Sequence, residues 1–305
     1  MSKPGTIYFV EGLPGSGKTT LSVWLQNLLH ARLFTEGSPH YPNDFSGIAG
    51  IPAHLYTPLL HTCPELREYA FEYESIHYVC IPDFESQCPY ETELIRLLRQ
   101  WEFGDEFNLN IPLEHYMTCS LGLLHKWIEA IDVTGEPLIL DSVLLQNPIN
   151  ELLYRNAPEE IIVQYCSLFA DAFSGFSTHL IYLKRKSAAQ AIAFAARVKG
   201  NNWCKRVADL IARTPYGLAH SLNGIDGMIR FFEHRSRIED RFLSNHLRSG
   251  RTYPVDELQW DQVRERIITD FDLNRTVDGI RDGFIQSLTE VIEEYDQTLR
   301  GLKNR

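Results

Sequence analysis

Near-continuous apolar runs recur along the chain at 6–10 (TIYFV), 137–141 (PLILD) and 178–183 (THLIYL), with weaker ones at 251–255 (RTYPV) and 31–37 (ARLFTEG). Runs of this length, unbroken by polar alternation, mark strands buried on both faces of a parallel sheet. Between them the apolar spacing lengthens to three and four. Leu21, Trp24, Leu25, Leu28 and Leu29 share one helical face just after the first run. The alternation predicts an α/β chain, a doubly wound parallel sheet of about five strands with ligands at the strands' carboxyl ends. Two tracts break it. Residues 44–118 hold a β-like YESIHYVCI and a helical YETELIRLLRQWEF and read as an insertion on the substrate side. Residues 184–220 follow the fourth run and read as a helical lid. A last amphipathic face (Val277, Ile280, Phe284, Leu288, Val291, Tyr295, Leu299 and Leu302) predicts a helix over 274–305 that packs on the domain or pairs with a second chain. No repeat or low-complexity tract divides the 305 residues, so 1–305 reads as one domain.

The junction between the first strand and its helix reads GLPGSGKTT. Gly12 to Thr19 match the phosphate-loop pattern in full: Gly, four residues, Gly, Lys, Ser or Thr. Amides at a helix N-terminus carry partial positive charge and bind phosphate oxygens. Gly12, Leu13, Pro14, Gly15, Ser16, Gly17, Lys18, Thr19 and Thr20 are therefore expected to hold a nucleoside triphosphate. Lys18 would reach the outer phosphates and the Thr19 hydroxyl a magnesium ion.

Charge refines this picture. The formal net charge is −11, which disfavours a nucleic-acid backbone as partner. Its distribution is uneven. Between Glu65 and Glu106 stand eleven acids and three bases; between Lys184 and Arg213 stand eight bases and one acid. The basic tract lies where triphosphate charge must be offset. Arg197 and Lys199, just before GNNW, are the expected contacts, Arg197 on the transferring phosphoryl group and Lys199 on the nucleotide. The acidic tract predicts a small hydroxylated acceptor carrying positive charge. Six cysteines show no metal-ligand spacing and read as free thiols of a cytoplasmic protein. No apolar run approaches membrane-spanning length.

Phosphoryl transfer needs carboxylates as well. Asp141 closes PLILD and Glu36 closes RLFTE, both at strand ends that point into such a site. Either could serve as general base, and Asp141 with Thr19 could hold magnesium. Glu11, just before the loop, reads as a buried partner of Lys18 or a supporting residue. His40 and Asp44, in the Pro-containing loop after Glu36, could line the acceptor site.

These residues resemble the P-loop kinase group, which includes nucleoside and nucleotide kinases: FVEGLPGSGKTT is similar to its opening. The resemblance implies that Glu36 is the general base at the end of the second strand, and that YLKRKSAAQAIAFAARVKG is an arginine-bearing lid. Nucleoside kinases carry an acid, Arg and Ser after the third strand; here Asp141, Ser142 and Val143 stand, and the arginine is missing. The tract 213–243 resembles one in little-characterised bacterial P-loop proteins described as ATP-binding. The expected activity is ATP- and magnesium-dependent transfer of a γ-phosphate to a hydroxyl of a small molecule, by a monomer or homodimer without nucleic-acid or membrane partners. The alternative is a nucleotide-dependent switch or ATPase acting on a protein partner.

Overall fold

The computed structural model describes residues 5–103, 109, 111–131, 136–246, 250–256 and 258–273. The chain opens with β1 (Thr6–Gly12), α1 (Lys18–Leu29) and β2 (Arg32–Phe34). There follow β3 (Ile48–Pro52), α2 (Ala53–Thr62), β4 (Ala70–Tyr73), β5 (Ile76–Cys80), α3 (Ile81–Gln87) and α4 (Thr92–Gln100). Next come α5 (Leu113–Ala130), β6 (Leu138–Asp141), α6 (Gln146–Tyr154), α7 (Glu159–Ala172) and β7 (Ser177–Lys184). The last elements described are α8 (Ala188–Lys199), α9 (Asn201–Arg213), α10 (Pro215–Ala219), α11 (Gly224–His246), β8 (Gly250–Pro254) and α12 (Trp260–Asp270).

The five apolar runs are the five strands of one parallel sheet, in the order β2-β6-β1-β7-β8. The continuous runs conceal a period of two. Ile7 and Phe9 of β1, with Leu138 and Leu140 of β6, pack with residues of α6, α7 and α11. Tyr8, Val10 and Ile139 point the other way, onto α1 and α12. Because helices cover both faces, both sets are apolar, and the sheet is doubly wound. All five strands run the same way, so Gly12, Asp141, Lys184 and Pro254 end at one edge, with Glu36 two residues past β2.

The tract expected as an insertion contains a second sheet, antiparallel, in the order β3-β5-β4. It has its own core, with Ala49, Ile51, Val79, Phe84, Leu94 and Leu98 buried. The sequence did not announce this hairpin because its two-residue turn is Glu74-Ser75. Both take positive φ (48° and 66°) where Asn-Gly would be the recognisable choice. The boundary also differs from expectation: α5 starts at Leu113 and runs on past residue 118. In the lid region, Gly200 (φ 84°) turns α8 into α9, and Asn201 and Asn202 start a helix rather than a loose tip. The helix expected over 274–305 lies outside the described residues. Among the described residues no helix is long and apolar enough to cross a membrane, and all six cysteines are free.

Candidate phosphate-binding site

The loop between β1 and α1 is held in backbone conformations that its glycines permit. Gly15 has φ 79°, and a Cβ there would lie 2.4 Å from the Ala191 carbonyl oxygen of α8. Helix α8 thus packs directly on the loop through its small residues Ala191 and Ala195. Gly17 caps α1 with no side-chain hydrogen bond, so the first-turn amides have no capping side chain as competitor. Arg185 fastens the loop from outside: its Nη2 donates to the Gly15 carbonyl at 2.7 Å, and it pairs with Asp256.

Beside the loop lies a cavity of about 550 Å³. Lys18, Thr19, Thr20, Glu36, Asp141 and Lys199 all line it, as do Pro14, Gly15 and Gly17. Lys18 is buried, and its Nζ donates to Gly12 O at 2.9 Å and Leu13 O at 3.3 Å. Burial pulls its ammonium below the usual lysine range, while Asp141 pulls it back up. Thr19 Oγ1 donates to Asp141 Oδ2 at 3.1 Å and Ser142 Oγ to Asp141 Oδ1 at 2.8 Å. Burial pushes the Asp141 carboxyl up, opposed by Lys18 and these two hydroxyls. Glu36 is exposed and accepts a hydrogen bond from the Gln146 side-chain amide. Lys199 sits 5.1 Å from the centre of the Trp203 ring. Ser16 and Leu13 support the loop from within: Ser16 is wholly buried, and Leu13 is 2% exposed.

Three expected contacts fall elsewhere. Arg197 lines a neighbouring depression with Arg185, Lys186 and Asp256. The helical period is the reason. Phe194, Ala195, Val198 and Lys199 face the loop cavity, and Arg197 is turned to the next face of α8. His40 is exposed, and its carbonyl accepts from Trp127 Nε1 at 2.8 Å. Asp44 is exposed and closes a turn, accepting from Ser46 N at 3.2 Å. Neither lines the cavity. Most acids of the tract that the structure describes are likewise spent on the surface. Glu65, Glu68, Glu72, Glu74, Asp83 and Glu93 are exposed, and Glu85 and Glu93 pair with Arg99 and Arg96. None of these seven lines the cavity, so they give no motive for a cationic acceptor.

Glu11 is a structural anchor. Fully buried, it accepts the backbone N–H groups of Leu144 (2.6 Å), Leu145 (3.0 Å) and Gln146 (3.2 Å), and so fixes the start of α6 beneath the site. Burial pushes its carboxyl up to about 7, with the Leu145 amide, Lys18 and Arg235 pulling against that rise. A folded-state value above the ordinary one means that the folded chain holds a proton which the unfolded chain has released. Between about 4.5 and about 7, then, this group lowers stability as pH rises. The expected outcome is that urea unfolding of wild type and Glu11→Gln diverges with pH. Wild type should lose ground to the variant from pH 5 to pH 7.5, by at most about 1.4 kcal/mol per unit. A difference that stays constant over this range would contradict the assignment.

Sequence reasoning missed the residues that α6, α9 and α11 bring in: Gln146, Asn150, Tyr154, Trp203, Phe232 and Arg235. Arg235 was the one with a signal. It stands in the apolar stripe of α11, among the buried Phe231, Phe232, Ile238 and Phe242, with Glu239 one turn on. A charged pair at i, i+4 inside such a stripe is a buried pair, and buried charges collect around sites.

The five-stranded parallel sheet, with helices on both faces and the glycine loop opening the first helix at the carboxyl edge, is a doubly wound α/β fold. No family model matches the chain, and no curated protein matches it. Among solved structures it is similar to the deoxyadenosine kinase from M. mycoides with bound dATP, at 14% identity and a TM-score of 0.37, over 87% of this chain and 99% of that one.

Proposed function

We propose that this protein is an ATP-dependent phosphotransferase that moves a γ-phosphate to a hydroxyl of a small molecule. The observation that carries the reading is one cavity holding the loop lysine, the Thr19–Asp141 pair and a second, unburied carboxylate, Glu36. The loop amides and Lys18 bind the phosphates and hold them in line. The oxygen set of Thr19 and Asp141 suits magnesium, a hard cation that takes oxygen ligands. Thr19 and Asp141 would hold that ion, and it would supply positive charge to offset the charge of the departing phosphoryl group. Glu36 is the general base. It is exposed and can meet an incoming hydroxyl, whereas Asp141 is already engaged by two hydroxyl donors. Ser16 Oγ, buried with no hydrogen-bond partner among the described residues, lies within the same loop.

The remaining walls describe the bound molecules. Tyr154, Trp203 and Phe232 offer flat apolar faces, and Asn150 offers an amide. An acceptor with a planar, uncharged body suits them better than a cation. The depression lined by Arg185, Phe194, Arg197 and Asp256 shares Phe194 with the loop cavity, and in this reading it takes the nucleobase. Arg197 then bears on the nucleotide's far end. The reading is tested by ADP release. Release should depend on a hydroxylated acceptor and on magnesium, and neutral planar acceptors should outperform cationic ones. ADP release at full rate with no acceptor would contradict it. The α8–α9 region closes over the loop, so amide hydrogen exchange across 186–220 should slow when a non-hydrolysable ATP analogue and magnesium are added. Exchange that does not change there would remove the lid from the account.

A further inference from the structure

Gly12 O, at the mouth of the loop, has two donors. Lys18 Nζ reaches it at 2.9 Å and Arg235 Nη2 at 3.2 Å. The two donors differ in freedom. Arg235 is wholly buried, and its Nε and Nη2 both lie on Glu239 Oε1, at 2.9 and 2.8 Å. Its Nη1 donates to Asn150 Oδ1 at 3.3 Å. Glu239, also wholly buried, accepts the Tyr182 hydroxyl at 2.6 Å on its other oxygen. Four groups from β1, β7, α6 and α11 thus fix the guanidinium in place. Among the described residues, the hydrogen-bond partners of Lys18 Nζ are two loop carbonyls, reached at the end of a four-carbon stem.

We propose that Arg235 is a positioning residue that frees Lys18 for the phosphates. On this reading the ammonium, which spends two of its three N–H donors on loop carbonyls, turns from Gly12 O, a buried carbonyl, toward the phosphates. A buried acceptor stripped of its donor opposes that move. Arg235 stays on the carbonyl, so the departure leaves no orphan. Arg235 reaches the loop from a helix more than two hundred residues away in sequence, in a chain whose Asp141-Ser142-Val143 segment carries no arginine.

The inference rests on the cavity being a nucleotide site, and the test separates the two. Binding of magnesium with a non-hydrolysable ATP analogue is measured by calorimetry in four proteins: wild type, Arg235→Met/Glu239→Gln, Lys18→Met, and the three changes together. The paired change avoids leaving a buried carboxylate without its cation. The expected result is binding at least about tenfold weaker when the pair is changed with Lys18 present, and within about twofold when Lys18 is already methionine. With no ammonium to release, Arg235 has nothing to do for binding. A purely structural role would weaken binding equally in both backgrounds, and that result overturns the inference, as does no loss in either. If the paired variant does not fold, Arg235→Lys takes its place, keeping the charge beside Glu239 without the fork that also spans Gly12 O and Asn150. A wild type that binds no nucleotide overturns the functional reading, and this inference with it. A wild type that binds, with variants indifferent to Arg235, overturns this inference alone.

Discussion

Lys18→Ala is expected to reduce phosphoryl transfer by at least about a hundredfold while leaving the protein folded. A pre-placed cation on a departing phosphoryl group contributes on the order of 3 kcal/mol or more in a site that excludes water. The fold should tolerate the change for a local reason. The Gly12 carbonyl that loses the ammonium keeps Arg235 as donor. Leu13 O loses a longer contact at 3.3 Å. Burial holds the lysine below its usual range, so removing this cation should relieve a desolvation penalty. Melting temperature and turnover should therefore separate. The first should shift little, and the second should collapse. Turnover within about threefold of wild type, roughly 0.7 kcal/mol, would mean that the loop is a structural turn and not a phosphate cradle.

Asp141→Asn is expected to be the second severe change, and of a different kind. The amide keeps the shape, and its oxygen can still accept from Thr19 or Ser142, so the turn through Ser142 (φ 71°) should survive. The negative charge offered to magnesium is gone. Turnover should fall about a hundredfold, near 2.7 kcal/mol, and half-saturation should need several times more magnesium. Glu36→Gln supplies the contrast. It should lower turnover as severely and leave the magnesium requirement unchanged, because the proposed reaction has Glu36 act on the hydroxyl and not on the metal. If Asp141→Asn leaves the magnesium titration where it was, Asp141 is a turn residue, and the division of labour between the two acids fails.

The parallel sheet was legible because burial on both faces writes itself as continuous apolar runs, and each of the five runs became a strand. The loop was legible because backbone geometry there demands glycine and the chemistry demands Lys18 and Thr19. The acids at two strand ends were legible from topology, since parallel strands deliver their ends to one edge. What the sequence hid depends on helical phase and on distance along the chain. Arg197 and Lys199 are two residues apart in one basic run, yet α8 turns one to the depression beside Asp256 and the other to the loop cavity. Eleven acids in one tract suggested a charged cleft, but charge counted along a chain says nothing about which face of a sheet or helix carries it. The second sheet was hidden by a Glu74-Ser75 turn that lacks the usual turn residues. Arg235 was hidden by separation: nothing local to the phosphate loop points to a partner on α11.

The most direct measurement follows the phosphate itself. The protein is incubated with γ-labelled ATP, magnesium and a small-molecule metabolite extract, beside Lys18→Ala as control, and the products are separated and identified by mass. The account predicts that label appears on a hydroxylated small molecule in the wild-type reaction alone, with ADP formed in equal amount. Label appearing only as inorganic phosphate, at the same rate with and without the extract, would contradict it.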